Sequence, residues 1–246
     1  MDHDDLPIGR VLTRREALAL LGSTGTLVLL GCSPSKASSR QTTGTSYPCV
    51  VRPAMTEGPY FVDEKLQRSD IRSDPTDDTV KEGTPFALTL NVSSIATGAC
   101  APLVGAIVDV WHCDAAGVYS DAVDRGFNTV GKKFLRGYQV TDRNGVAKFT
   151  TIYPGWYPTR AVHIHFKIRS PASAERAYEF TSQLYFDEAT SDRVYMKPPY
   201  AAKGKRTVSN LTDRIYQGGG GSQLMLKVAP TKEGYAATFD VALDQR

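Results

Sequence analysis

Phe134-Leu135-Arg136-Gly137-Tyr138-Gln139-Val140-Thr141 is followed by Asp142-Arg143-Asn144-Gly145 and then by Val146-Ala147-Lys148-Phe149-Thr150-Thr151-Ile152. The two outer runs carry β-branched and aromatic residues, which suit a pleated, half-buried strand. The residues between them end in Asn-Gly, a dipeptide that readily takes the positive φ of a tight turn. The segment reads as two strands joined as a hairpin. Working outward, Phe86 to Val92 alternates apolar and polar residues, and Val104 to His112 is rich in Val and Ile. Ala161 to Ile168, Phe180 to Phe186, Gln223 to Val228 and Tyr235 to Val241 bring the total to about eight candidate strands between turn residues. Helical periodicity is confined to Glu188 to Tyr195, and Gly218 to Gly221 reads as a loop. There are no internal repeats. The pattern implies an all-β fold, an antiparallel β-sandwich with long active-site loops and little helix. Thr56 to Gly83 is the longest such loop, and stretches of that length inside a domain are usually functional or disordered. The aromatics and rigid Gly-Pro of Thr56-Glu57-Gly58-Pro59-Tyr60-Phe61 argue for order.

The totals suit a soluble chain: 246 residues, 41% hydrophobic and 22% charged, with a formal net charge of +3. Residues 1–32 hold three basic and four acidic side chains, so the remainder carries +4. That bias is too weak for a nucleic-acid partner, and no basic stripe is interleaved with aromatics. Residues 1–32 read as a leader. Thr13-Arg14-Arg15-Glu16-Ala17-Leu18 opens an apolar run to Leu30 that resembles a twin-arginine export signal. The run is shorter than the roughly 20 residues of a spanning helix. Leu29-Leu30-Gly31-Cys32 resembles a lipoprotein processing site. Two outcomes stay open: a lipidated Cys32 that tethers the protein to a membrane, or cleavage nearby and release into the periplasm or medium. Residues 33–47, rich in Ser and Thr, read as a flexible tether, and residues 48–246 as the folded domain.

Export permits a disulfide among Cys49, Cys100 and Cys113. An extended chain from Cys100 to Cys113 would span about 40 Å, so those two are expected not to pair. Any bridge should include Cys49; three buried thiols are the alternative.

The chemistry concentrates in Tyr153-Pro154-Gly155-Trp156-Tyr157-Pro158-Thr159-Arg160-Ala161-Val162-His163-Ile164-His165-Phe166. In a strand, His163 and His165 face the same side about 7 Å apart, while Ile164 and Phe166 face the core. Two imidazoles so placed can converge on one metal. A lone His-x-His is also a common feature of a polar strand face. The tyrosines add weight: Tyr157 lies in a Pro-rich turn six residues earlier, and Tyr119 ends the loop after the Val104 to His112 run. Phenolate is a hard donor that prefers iron(III) to zinc or copper(I). No Cys-x-x-Cys or His-Glu-x-x-His pattern competes. Tyr153 is a rival to Tyr157, and His112 reads as structural.

At this point the chain resembles the intradiol ring-cleavage dioxygenases, nearest to their protocatechuate 3,4-dioxygenase branch. Gly105-Ala106-Ile107-Val108-Asp109-Val110-Trp111 with Gly117-Val118-Tyr119 is similar to the segment bearing the first tyrosine ligand. Pro154 to Pro158 is similar to the second, and Arg160 to Phe166 to the arginine and two-histidine strand. Ser182-Gln183-Leu184-Tyr185-Phe186 resembles the stretch with an active-site glutamine, and Thr56 to Tyr60 a loop lining the substrate pocket. The resemblance implies one non-haem Fe(III) per site held by Tyr119, Tyr157, His163 and His165, with Tyr157 and His165 axial. It implies a catechol-type diol and O2 as substrates, and a cis,cis-muconate-type product. It gives Tyr157 the role of a ligand released to take a substrate proton, and Arg160 and Gln183 that of stabilising charge on the ring. Thr56, Gly58, Pro59, Tyr60 and Trp156 would line the substrate pocket. Thr159 replaces a tryptophan frequent in the family, which leaves substrate size open. The short tether also leaves no room for the helical dimerisation region of the catechol 1,2-dioxygenase branch.

Two other readings suit parts of the sequence. An exported β-sandwich binding module for a sugar or peptide fits the tether and aromatic loops. A jelly-roll iron(II) enzyme would need two histidines and a carboxylate, for which Asp109 or Asp114 could serve. Ring substituents, oligomeric state and physiological pathway are not legible. The leader is open to test: Arg14→Lys with Arg15→Lys should retain active protein inside the cell, and normal export of the double variant would overturn the reading.

Overall fold

The computed structural model describes residues 49–96, 99–174 and 177–244. The leader, Cys32 and the tether lie outside them. The described residues form β1 (Pro85–Ala96), β2 (Ala99–Pro102), β3 (Ile107–Trp111), β4 (Val123–Asp124), β5 (Phe127–Asn128), β6 (Arg136–Val140), β7 (Val146–Ile152), β8 (His163–Arg169), β9 (Glu179–Tyr185), β10 (Ala229–Pro230) and β11 (Tyr235–Asp244). The helices are α1 (Glu188–Tyr195), capped by the Asp187 carboxylate on the Thr190 N–H, and the short α2 (Arg214–Gly218), capped by Asp213.

Two sheets organise these strands. The four-stranded sheet runs β6-β3-β8-β9, antiparallel throughout. In the five-stranded sheet β1 is central. It pairs with β11 along one edge, and with β7 and then β2 along the other. The expected all-antiparallel arrangement is corrected here, because β1 and β11 are parallel from Phe86↔Tyr235 to Ile95↔Asp244. Alternate residues of β1 (Phe86, Leu88, Leu90, Val92) are buried. They share one apolar cluster with Val108, Val110, Ile164, Phe166 and Ile168 of the other sheet. Phe166 of β8 and Phe239 of β11 meet within it at 6.1 Å between ring centroids. Each large apolar side chain so buried contributes about 1.5–3 kcal/mol.

The hairpin expected around Asp142–Gly145 is also corrected. Its turn does form: Asp142 Oδ1 accepts from the N–H groups of Asn144 and Val146 at 2.8 and 2.9 Å. The flanking strands then part. β6 pairs with β3 and β7 with β1, so the turn carries the chain from one sheet to the other. Gly145 has φ of +72°, and a Cβ there would stand 2.2 Å from the Val92 carbonyl oxygen. The turn is thus pressed onto β1. Local pattern shows which residues extend; it does not show with which strand they pair.

The stretch Gln223 to Val228 is likewise not a strand. Gly221–Leu224 is a 3-10 turn, and beyond it the Leu226 N–H donates to the Tyr185 carbonyl at 2.8 Å. Leu224 and Leu226 are both buried, as an irregular segment laid against β9. Gly218 ends α2 and Gly221 opens the 3-10 turn, so the glycine run joins two helical turns. β2, β10 and the small β4–β5 ribbon were not legible as strands; β4, β5 and β10 are each only two residues long.

Cys49 and Cys100 form a disulfide, with Cα atoms 5.6 Å apart, and Cys113 is a buried free thiol. Cys100 and Cys113 lie in different sheet regions rather than at two ends of one strand, so their failure to pair has another cause than extension. The bridge closes a separation of 51 residues. Replacing both cysteines by serine should lower unfolding free energy by about 2–4 kcal/mol, read from the denaturant midpoint under non-reducing conditions. An unchanged midpoint would mean that the bridge does not form.

Candidate metal centre

Strand β8 is buried on both faces. Ile164, Phe166 and Ile168 turn into the apolar core, and His163 and His165 turn to the opposite side. Their neighbours in register are Tyr185 and Gln183 on β9, and Trp111 on β3 beside His165. The Trp111 indole stacks on the His165 imidazole at 4.9 Å and 9°. The His163 Nδ1–H donates to the Ala161 carbonyl at 2.6 Å. That bond leaves Nε2 with a free lone pair, and it stands 3.0 Å from His165 Nε2. Burial, reinforced by nearby positive charge from Arg160, holds both imidazoles well below the ordinary histidine range. Both are therefore neutral, as metal ligands must be.

Two loops bring the tyrosines to this point. In the first, Asp114 Oδ1 accepts from the Ala116 and Val118 N–H groups at 3.0 Å each. Lys81 pairs with its other oxygen at 2.9 Å. Beyond this turn the Tyr119 carbonyl accepts from Thr129 Oγ1 at 2.6 Å. The second loop is anchored by Tyr200 Oη on the Tyr153 carbonyl at 2.6 Å and by Tyr195 Oη on the Pro154 carbonyl at 2.9 Å. The loops interlock through glycine. A Cβ on Gly155 would lie 2.2 Å from the Asp114 carbonyl oxygen, and one on Gly117 2.2 Å from that of Trp156. Tyr119 and Tyr157 consequently meet edge to face at 5.7 Å. Tyr157 Oη is 3.2 Å from His163 Nε2. Tyr119 is 1% exposed, and its hydroxyl has no hydrogen-bond partner.

Four polar groups thus converge with too few protons and acceptors to satisfy one another. Unpaired buried polar atoms are costly, and a bound cation resolves that cost. The donor set fits one. Two neutral imidazoles offer lone pairs, and two phenols ionise on binding. Burial pushes Tyr157 up to about 12, and burial together with Tyr157 holds Tyr119 well above the ordinary tyrosine range. Only a strongly polarising ion would deprotonate both.

Arg160 lies beside this cluster and is itself held. Its Nε donates to Asp213 Oδ2 at 3.0 Å, and Nη2 donates to Gln183 Oε1 at 2.5 Å and Tyr185 Oη at 3.2 Å. Gln183 Nε2 in turn donates to the Thr56 carbonyl at 2.9 Å. Asp213 is fully buried and also accepts from the N–H groups of Ala161, Ile215 and Tyr216. Burial opposes the charge on Arg160, but Tyr157, Tyr185 and Asp213 outweigh it and raise its pKa. The turn before it is strained: Thr159 has φ of +77°, unusual for a β-branched residue.

A cavity of about 660 Å³ opens at the cluster, walled by Tyr60, Gly117, Phe127, Tyr157, Thr159 and Lys203 among others. Tyr60 stacks on Tyr119 at 4.3 Å, with its hydroxyl on Asp124. Gly58 lies against His165, since a Cβ there would be 3.4 Å from the imidazole. The Thr56 side chain accepts from the Gly58 N–H. Of the five residues expected to line the pocket only Tyr60 is in this wall; Thr56, Gly58, Pro59 and Trp156 are not, and Trp156 is buried with the Lys203 ammonium 4.8 Å from its ring. Trp111 and Tyr185 lie in segments that carry the resemblance, but the sequence assigns them no role, and it does not single out Asp213. Tyr185 carried a signal, because it is two residues from Gln183 on a strand. Asp213, 53 residues from Arg160, carried only that of a helix cap.

The rival residues sit elsewhere. Tyr153 Oη bonds Ser191 Oγ at 2.8 Å. His112 is spanned by the Cys113 carbonyl and Thr151. Asp109 pairs with Arg169 at 2.8 Å and Asp114 with Lys81. Neither carboxylate is placed to complete a two-histidine, one-carboxylate site. Among the described residues, no group of three or more His, Cys, Asp or Glu side chains could hold a metal.

A family model described as Dioxygenase matches residues 56–244. Over 144 residues the chain is 30% identical to the protocatechuate 3,4-dioxygenase beta chain of Burkholderia cepacia, which is 54% of this chain and 60% of that one. Over 154 residues it is 29% identical to a chlorocatechol 1,2-dioxygenase of a Pseudomonas species, 55% of each. The chain thus spans somewhat over half the length of these curated relatives. A solved intradiol ring-cleavage dioxygenase from Tetranychus urticae superposes with a TM-score of 0.68 at 32% identity, over 80% of this chain and 95% of that one.

Removing Arg160 would leave the buried Asp213 carboxylate without its cation, held by three backbone N–H groups alone. Arg160→Ala should cost the metal-free protein about 3–5 kcal/mol, as breaking one side of a buried pair does. Denaturant unfolding checks this, and a loss below about 1 kcal/mol, the scale of an exposed pair, would show that the guanidinium is not tied in.

Proposed function

Because the chain belongs to the intradiol ring-cleavage dioxygenase family, its residues 56–244 matching the family model, we propose that it opens a catechol-type ring between the two hydroxylated carbons with O2, giving a cis,cis-muconate-type product. The cofactor in this reading is one non-haem iron(III), held by Tyr119, Tyr157, His163 and His165. The observation that carries it is the convergence of two imidazole Nε2 atoms 3.0 Å apart with the Tyr157 hydroxyl 3.2 Å from one of them and the buried, unpartnered hydroxyl of Tyr119. Iron(III) bound there would act as a Lewis acid that binds the catecholate and draws electron density from its ring, leaving a ring carbon open to O2.

The protein's own groups divide the remaining work. Tyr157 borders the cavity, so its oxygen can meet an incoming catechol hydroxyl and take its proton. Tyr119 is sealed beneath Tyr60 and serves as a permanent ligand. Arg160 supplies a charge that cannot deprotonate. Its Nη1 has no acceptor among the described residues, so it is available to charge developing on the substrate. Gln183 and Tyr185 spend their hydrogen bonds on Arg160, Thr56 and each other. They orient the guanidinium rather than reach the ring. Preorganised donors of this kind act most strongly where water is excluded, and Tyr60 and Gly58 provide that exclusion. A non-enzymatic binding module would leave the converging donors without a purpose. For the leader, we propose export by the twin-arginine route, followed by lipidation at Cys32 or release.

The two tyrosines should separate by experiment. Tyr157→Phe should keep part of its iron through the other three ligands, with a weakened and shifted visible band. It should still bind a catechol, and turn over at least about a hundredfold more slowly, the lower end of the range for losing a general base. Tyr119→Phe should lose more iron. Iron content, visible spectra with and without catechol, and O2 uptake decide it. Full iron, unchanged colour and unchanged turnover in Tyr157→Phe would remove that residue from the site.

A further inference from the structure

Past the two histidines, the same face of β8 continues with Lys167 and Arg169. Neither serves the metal set, yet Lys167 is only 5% exposed. A buried ammonium needs a reason, since a cation is rarely so deeply placed unless paired. Lys167 makes two ion pairs, with Glu57 and, at 3.0 Å, with Glu179. Its Nζ also lies 4.1 Å from the centroid of the Phe61 ring. Glu57 and Phe61 bracket Gly58 and Tyr60, the two residues that press on His165 and on Tyr119. Residues 56–63 therefore run as a strap over the ligand-bearing strand, and Lys167 grips the strap on both sides of the part that walls the pocket. Arg169 adds a pair with Asp63 at 3.0 Å, but its side chains are 24% and 34% exposed, against 6% and 20% for Lys167 and Glu57. Water and salt screen the outer pair more, so the inner one dominates.

We propose that Lys167 is a positioning residue for the substrate pocket: through Glu57 and Phe61 it holds Gly58 and Tyr60 at the distance from the metal-ligand strand at which a catechol ring is bound. It touches neither substrate nor ligand set. The inference rests on the ring-cleavage reading for its kinetic consequence, although the anchoring itself does not.

The test compares full-length iron-loaded Lys167→Met, Glu57→Gln, their double variant and Glu179→Gln. Lys167→Met and Glu57→Gln should each raise KM for catechol at least tenfold, while kcat stays within about threefold and iron content is retained. Amide hydrogen exchange at Gly58 and Tyr60 should quicken in both, whether or not catechol is turned over. The double variant should be no worse than the more impaired single one, because both remove the same contact. Glu179→Gln should behave as wild type, because Glu179 is itself 45% exposed and its pair with Lys167 is screened by water. If Lys167→Met fails to fold, Glu57→Gln decides alone. Unchanged KM with unchanged exchange would overturn the proposal, and so would a fall in kcat at constant KM. Quickened exchange in a protein that cleaves no catechol at all would instead keep the anchor and refute the ring-cleavage reading.

Discussion

A strand buried on both faces cannot be apolar on both and still carry chemistry. β8 meets this constraint by alternation. One face belongs to the shared core through Ile164, Phe166 and Ile168; the other is a row of imidazole, imidazole, ammonium and guanidinium. Every polar group in that row must find a partner away from bulk water. The surrounding architecture is the answer to that demand. β9 supplies Gln183 and Tyr185, the loop after β3 supplies Tyr119, and the segment 56–63 supplies Glu57 and Asp63. The two imidazole Nε2 atoms are the part of the row that protein groups leave facing one another, and they are the part the proposed metal would take.

The second layer of organisation is electrostatic. Arg160 and Asp213 form a buried, charge-assisted pair, and the backbone of α2 shares the carboxylate. Such pairs add little net stability, but they fix geometry, here that of a guanidinium beside two phenols and two imidazoles. The strained backbone at Thr159 sits between Tyr157 and Arg160. A residue in that conformation costs about 1–3 kcal/mol, which the interlocked loops on either side must offset.

Much of the site was legible because its spacing is local. His163 and His165 share a face by strand period alone, and Tyr157 lies within the same short segment. Tyr119 needed the resemblance, since nothing in the order of residues says that its loop returns to β8. The strands themselves were largely visible as runs of β-formers, and α1 was visible with its bounds. Pairing was not. The Asn-Gly turn after β6 suggests a hairpin in any sequence, and only the competition of β1 for β7 and of β3 for β6 sends the two strands to different sheets. The Leu224–Leu226 segment has the composition of a strand but lies where the edge of β9 offers one bridge and no ladder. Long-range charge partners such as Asp213 leave no local trace, since a capping aspartate and a functional one look alike in sequence.

The parallel pairing of β1 with β11 also sets an order in time. β1 is the middle of its sheet, and one entire edge of it is filled by residues 235–244. A nascent chain that has already produced both tyrosines, both histidines and Arg160 still lacks that edge. Contacts so distant in sequence form late and slowly, so this edge of the sheet backing the core is among the last to close. The cluster of tyrosines and histidines is thus backed by a strand that contributes no atom to it, and its geometry depends on a pairing made between residues about 150 positions apart.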